Sequence, residues 1–237
     1  MSFERVLARH FPGAVAMEDF ISSSRAALAA LGFRPENVQP GVGVCRDEIC
    51  APFVAALQAA WGPCFSFASL AGAVLPGRTA FGAFLRHAPL EGGRCRNVLF
   101  GFTHLALDAE GTPGPCSRPG LATLSSACGA LASLHREMRA GLTDLDIDPD
   151  DVEYGLLRLR LSARIEPGAS PDLVDLTRLA HRVLAEDLEA TVLDGLDPER
   201  ADVAVYTGVQ IHGPNGLELV WSGGAWAQTQ DGRLPLP

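Results

Sequence analysis

The chain contains no lysine: all 19 of its basic residues are arginine. With so much alanine, glycine and proline beside it, that absence reads as genomic base-composition bias rather than as a functional device. Positive charge is scarce as well, since 28 acidic residues outnumber the arginines and leave a net charge of −9. No stretch gathers the basic face that phosphate binding requires, which excludes a nucleic-acid partner. Long apolar runs are also missing. None approaches the roughly 18–20 residues needed to span a bilayer, so no membrane partner is expected. The opening residues from Met1 to His10 alternate charged with apolar side chains and lack the apolar core of a secretory signal. The expected location is cytoplasmic.

What is present is enough apolar material for a large core: 47% of 237 residues. The expectation is one α/β domain over residues 1–237, with no internal repeat. Six cysteines could form three disulfides, but a reducing compartment favours free thiols or metal ligands.

Phe20 to Leu31 carries Phe20, Ile21, Ala26, Ala27, Ala30 and Leu31 at helical spacing, with Gly32 to close it. Val42-Gly43-Val44-Cys45 reads as a short buried strand. Asp47 and Glu48 suit the first turn of a helix that runs to Trp61 and stops at Gly62-Pro63. Cys64 to Val74 predicts a strand leading into a short helix, Leu75 to Thr79 a turn, and Ala80 to Ala88 a mixed segment. Arg96 to Leu107 is the clearest strand of the first half. Asp108 to Gly120 is a polar loop, and a helix begins near Ser126 and continues past Leu134 and Met138. Beyond the acidic stretch Asp144–Asp151, Val152 to Ile165 alternates as a long strand would. Pro171 to Leu188 is an amphipathic helix with Leu173, Leu176, Leu179, Ala180, Val183 and Leu184 inward. Val203–His212 and Leu217–Trp221 read as a hairpin turned by Gly213-Pro214-Asn215-Gly216. Residues 150–237 carry these patterns and no chemistry that the sequence names.

Three residues stand out as metal ligands: Cys45, His104 and Cys128. Cys45 ends an apolar strand just where Arg46, Asp47 and Glu48 begin, the usual mouth of an α/β site. Cys128 opens a helix, where the dipole favours a thiolate. His104 lies near the end of a strand. Taken singly, each such residue is more often a core or packing residue than a ligand. Together, two thiolates and one imidazole would leave a tetrahedral zinc with one open position, as zinc catalysis requires.

The segments Gly43-Val44-Cys45-Arg46-Asp47-Glu48 and Ser126-Ala127-Cys128-Gly129-Ala130, the strand bearing His104 and the loop Arg118-Pro119-Gly120 resemble the limiting-CO2-inducible protein B/C family. Active members of that family are the θ-class carbonic anhydrases. The specific likeness covers roughly residues 40–140, the zinc-site half, and the remainder only in layout. It implies a β-carbonic-anhydrase-like mixed sheet flanked by helices, a homodimer, and Zn2+ held by Cys45, His104 and Cys128. Asp47 and Arg46 are the catalytic candidates. The implied reaction is reversible hydration of CO2 to bicarbonate by a zinc-bound hydroxide. Two thiolate ligands should make that hydroxide more basic than one on three histidines, shifting activity to neutral or alkaline pH. Asp47 would accept a hydrogen bond from the bound water.

The sequence departs from the ordinary β-type pattern Cys-X-Asp-X-Arg by holding Ile49 where the arginine belongs. Arg46, Arg78 and Arg118 are the candidates to steady Asp47. Val44, Phe81, Phe84 and Phe102 could line a dry pocket for CO2, and His87 or His135 could pass protons. The alternative is an inactive zinc protein that binds inorganic carbon or a protein partner in a regulatory or structural role. A fourth protein ligand would favour it, and Cys50 is the nearest extra thiol. Redox chemistry between Cys45 and Cys50 ranks third, since their spacing is not Cys-X-X-Cys.

Overall fold

A computed structural model describes residues 2–73, 77–118, 120–141, 145–166 and 168–237. Val74, the Leu75-Pro76 part of the expected turn, Pro119 of the expected loop and Asp144 of the acidic stretch lie outside the described residues. In chain order the first half holds helix α1 (Phe3–His10), strand β1 (Val15–Ala16), α2 (Met17–Ala29), β2 (Val38–Gly43), α3 (Ala51–Trp61), β3 (Phe65–Ser66), α4 (Gly77–Arg86), β4 (Leu90–Glu91) and β5 (Arg94–Ala106). A small hairpin of β6 (Pro115–Cys116) and β7 (Ser125–Ser126) leads to α5 (Gly129–Arg139), α6 (Val152–Ser162) and α7 (Leu173–Gly195). The chain ends in β8 (Ala201–His212), β9 (Glu218–Thr229) and β10 (Gly232–Pro235).

One sheet crosses both halves in the order β1-β9-β8-β5-β2-β3, with β10 added to β9 and β4 to β5. The pairs β3/β2, β2/β5 and β5/β8 are parallel, whereas β8/β9, β1/β9 and β10/β9 are antiparallel, so the sheet is mixed. The central strands β2, β5 and β8 run in the same direction and bring Gly43, Gly101 and Thr207 level with one another. Their carboxyl ends therefore open on one edge, where an α/β fold places its site.

Burial on both faces explains why β5 and β8 read as near-continuous apolar runs. On one face Phe100, Phe102 and Tyr206 meet Phe20 of α2 and Phe53 and Trp61 of α3. Here Phe102 lies 5.1 Å from Phe53 and 5.4 Å from Phe20, edge to face. On the other face Leu99, Val203 and Val205 meet Phe84 of α4 and Leu184 and Leu188 of α7. Helices α5 and α6 pack against α7. All six residues assigned inward on the helix beginning at Pro171 are buried.

The segment from Val152 is a correction. It forms helix α6, not a strand. Leu157, Leu159 and Leu161 satisfy a period of two, but Leu157 and Leu161 are also four apart and share one helical face. Leu157 and Leu161 are buried and Leu159 faces outward. The hairpin at Gly213–Gly216 is present, and its second strand runs well beyond Trp221 to Thr229. Pairing continues past Ser222-Gly223-Gly224 because the register shifts between Thr207 and Gly208. The mixed segment from Ala80 is the helix α4, and the Asp108–Gly120 loop contributes β6.

Candidate metal centre

Cys45 lies just past β2, where the chain leaves the sheet and bridges Ser69. Val42 and Val44 accept backbone hydrogen bonds from Phe67 and Ser69 at 2.8 and 3.0 Å, so β2 and the segment after β3 stay together to the edge. A tight turn over Leu70–Gly72 closes under this point. Gly72 has φ +66°, and a Cβ there would lie 2.2 Å from the Phe102 carbonyl oxygen, so only glycine fits. Beyond Cys45, Asp47 caps a short 3-10 turn over Glu48–Cys50, its Oδ1 accepting from the Ile49 amide. His104 stands near the end of β5. Cys128 is the N-cap residue of α5, and the Ala127–Cys128 peptide is cis. The Ala127 carbonyl accepts from the Ala106 amide at 3.2 Å, which ties this segment to the end of β5.

These elements bring Cys45, His104 and Cys128 together. Their ligand atoms all lie within 4.8 Å of one another, and all three residues are buried. The two sulfurs are 3.9 Å apart. That is far beyond a disulfide bond, and close to the roughly 3.8 Å separating two sulfurs held about 2.3 Å from one tetrahedral ion. His104 is completely buried, yet its Nε2 has no hydrogen-bond partner. Its other nitrogen, Nδ1, lies 3.2 Å from Nε2 of His212, and Nδ1 of His212 lies 2.8 Å from Glu218 Oε2. A second set, Cys50 with His104 and His212, also falls within 4.8 Å. Among the described residues, no fourth His, Cys, Asp or Glu joins Cys45, His104 and Cys128 at that spacing.

The cysteine pair is poised for a cation. A hydrogen bond from Cys128 draws the Cys45 thiol far below the usual thiol range, and the His104 ring adds to this against the cost of burial. Cys128 moves the opposite way, because it donates to Cys45 and is itself buried. Two adjacent buried sulfurs share one proton, and a metal ion is what would let both ionise. Burial, reinforced by the charges of Cys45 and Asp47, pushes the Cys50 thiol up and keeps it protonated.

Asp47 is held by Arg118. Nη1 donates to Oδ1 at 2.5 Å and Nη2 to Oδ2 at 2.8 Å. Burial pushes the Asp47 carboxyl up, but the hydrogen bonds from Arg118 and the nearby His104 outweigh it and leave the group below its ordinary range. Arg118 also pairs with Glu48 and donates from Nε to Ser125 Oγ at 2.5 Å, which anchors it in the β6/β7 hairpin. The other candidates point elsewhere. Arg46, read from the sequence as catalytic, instead pairs with Glu153, and Arg78 with Asp194. The Arg46 side chain is more than half exposed, and the Glu153 that it pairs with stands at the start of α6.

A cleft beside the turn over Glu48–Cys50 is lined by Val44, Cys45, Asp47 and Cys50. On the other side of that turn a second cleft is lined by Ile49, Arg118, His212 and Glu218. Val44 thus adjoins the site. Phe102 is core on the same face as His104, and Phe81 and Phe84 belong to the core on the opposite face. His87 is exposed against the Phe65 ring and His135 lies half-buried on α5; neither is among the clustered ligands. All six cysteines are free. Sequence reasoning missed His212 and Glu218. The available sign was a pair of polar residues, Gln210 and His212, on one face of an otherwise apolar strand.

No curated protein matches the chain significantly. Among solved structures it is similar to the limiting CO2-inducible protein LCIB, with 29% identity and a TM-score of 0.80 over 98% of this chain and 97% of that one. It is also similar in fold to PtLCIB4, described as a homolog of LCIB, with 21% identity and a TM-score of 0.83 over 98% and 99%. The model of the family described as limiting CO2-inducible proteins B/C beta carbonic anhydrases matches residues 14–224. This match takes in all of β8 and the first part of β9 as well as the cysteines, so His212 and Glu218 fall within the family's extent, and the chain belongs to that family.

Proposed function

We propose that this chain is a zinc-dependent carbonic anhydrase that interconverts CO2 and bicarbonate. The observation that carries the reading is the convergence of Cys45, His104 and Cys128 beside an Asp47 that Arg118 grips through both oxygens. The donor set fits zinc: two sulfurs at tetrahedral spacing, and a fully buried imidazole nitrogen that makes no hydrogen bond of ordinary geometry. Bound there, zinc would act as a Lewis acid that brings the pKa of a water towards neutrality.

The chain's own residues account for the rest. With both oxygens committed to Arg118, Asp47 is restrained from closing on the cysteines. It stays anionic, and a carboxylate oxygen can accept the O–H of a water and aim its lone pair at CO2. Val44 gives the cleft beside Cys45 and Asp47 an apolar wall suited to CO2. The homodimer that the family resemblance implies belongs to the same proposal and is checked by sedimentation velocity.

Metal analysis paired with stopped-flow CO2 hydration tests the reading. The expected result is one zinc per chain and hydration well above background at neutral to alkaline pH. The Cys50, His104 and His212 set favours one other reading, an ion seated away from Asp47 with no turnover. Stoichiometric zinc without hydration would select that reading.

A further inference from the structure

The strongest unused feature is the chain of contacts behind His104. Resting on the metal reading above, we propose that Glu218 and His212 are positioning residues that set the tautomer of His104. They keep its proton on Nδ1 and leave Nε2 bare as the ligand atom.

A carboxylate can only accept, so at the 2.8 Å contact His212 must donate from Nδ1 to Glu218 Oε2. In the proposed arrangement that is the ring's one proton, which leaves a lone pair on His212 Nε2. That lone pair faces His104 Nδ1 at 3.2 Å and accepts its proton. His104 is left with a bare Nε2, the nitrogen that has no protein partner and that a metal would take up. The reverse assignment would put a proton on His104 Nε2 and block that atom.

The fold makes the arrangement rigid. The parallel pairing of β5 with β8 sets Ala106 opposite His212, one step along the same face from His104 and Gln210. The antiparallel pairing of β8 with β9 sets His212 directly opposite Glu218. Three residues on three adjacent strands therefore lie side by side, each held in register by the sheet's own pairing. Glu218 also lines the cleft shared with Arg118, whereas His104 is sealed from it. The C-terminal hairpin thus completes a centre whose proposed ligands all precede α6 in the chain.

The test uses the full chain, zinc itself as the probe, and two readouts. Long-range 1H–15N spectra of the zinc-loaded protein should show His104 protonated at Nδ1 and metal-bound at Nε2, with His212 protonated at Nδ1. In chelator competition, His212→Ala should weaken zinc binding about 10- to 100-fold, the usual loss when the outer partner of a ligand is removed. His212→Gln, whose amide oxygen can still accept from His104, should recover most of that affinity. Glu218→Ala should weaken binding alone but add little in the His212→Ala background, because it acts through His212. A structural role would instead lower stability in every variant, leave the affinity of the folded fraction unchanged and give no rescue. Unchanged affinity in His212→Ala would overturn the inference, as would spectra with His104 Nδ1 and His212 Nε2 both bare, which would seat the ion against Cys50. A wild-type chain that takes up no zinc would overturn the metal reading itself, and this inference with it.

Discussion

Arg118 and Asp47 meet fork to fork, Nη1 on Oδ1 at 2.5 Å and Nη2 on Oδ2 at 2.8 Å, although 71 residues separate them in the chain. Only about a tenth of either side chain is exposed, so the pair is largely desolvated. Arg118→Ala would leave a mostly buried carboxylate uncompensated. The expected cost is about 3–5 kcal/mol, read as a lower denaturation midpoint in urea. Arg118→Lys should recover little of it, since one ammonium cannot reproduce two parallel hydrogen bonds. Hydration of CO2 should collapse in both variants while zinc stays bound, because the arginine touches Asp47 and none of the proposed ligands. Retained hydration in Arg118→Ala would show that Asp47 needs no such clamp.

Two overlapping ligand sets share His104, and single cysteine substitutions separate them. Cys45→Ser and Cys128→Ser should each abolish stoichiometric zinc, since the two sulfurs, 3.9 Å apart, supply the charge that balances the ion. Cys50→Ser should keep zinc, because burial holds that thiol protonated and outside the first set. Metal content of the purified variants by mass spectrometry is the measurement. Zinc retained in Cys45→Ser and lost in Cys50→Ser would move the centre to the Cys50, His104 and His212 set.

The three proposed ligands were legible in the sequence because each is a ligand-type residue where an apolar run ends or a helix begins. Parallel strands then bring their ends to one edge without further instruction. Arg118 was legible only as one of three arginines. Its choice depends on the β6/β7 hairpin and on Ser125 Oγ fixing the guanidinium, neither of which has a periodic signature. Glu153 engages Arg46 in the same way, from 107 residues away, and leaves the contact with Asp47 to Arg118. His212 and Glu218 were not legible as partners of His104. His212 lies 108 residues from it and reaches it only through the β5/β8 register. Glu218 enters through the next strand, so both pairings had to be known.

Helix α6 gives a test of helical against strand periodicity. Leu161 is fully buried and Leu159 is 37% exposed, although a strand pairing to one face would bury both. Leu161→Ala should therefore cost about 2–5 kcal/mol, the range for truncating a buried leucine. Leu159→Ala should stay within about 0.5 kcal/mol, as exposed positions do. Urea denaturation of the two variants supplies both numbers. Equal losses would mean that Leu159 and Leu161 share a buried face, which α6 does not allow.

His181 on α7 carries a pH dependence that is independent of the metal centre. Its ring is buried against Trp221, with Nε2 3.2 Å from Thr207 Oγ1, and burial, with Arg182 and Arg178 nearby, draws its pKa down to about 4. In the unfolded chain the same ring titrates near 6.5. Between those values the unfolded state binds a proton that the folded state refuses, so stability must fall as pH drops from about 6.5 to about 4. With most of the ring buried, the full loss is on the order of 3 kcal/mol, complete only below the folded value. His181→Gln removes the titration, so the wild-type-minus-variant difference in unfolding free energy should fall steadily as pH drops from 7 to 4. At pH 7 the variant should be no more stable than the wild type, and near pH 4 it should gain on it by roughly that amount. A difference that stays constant with pH would mean that His181 titrates alike folded and unfolded, and that Thr207 and the surrounding core do not hold it neutral.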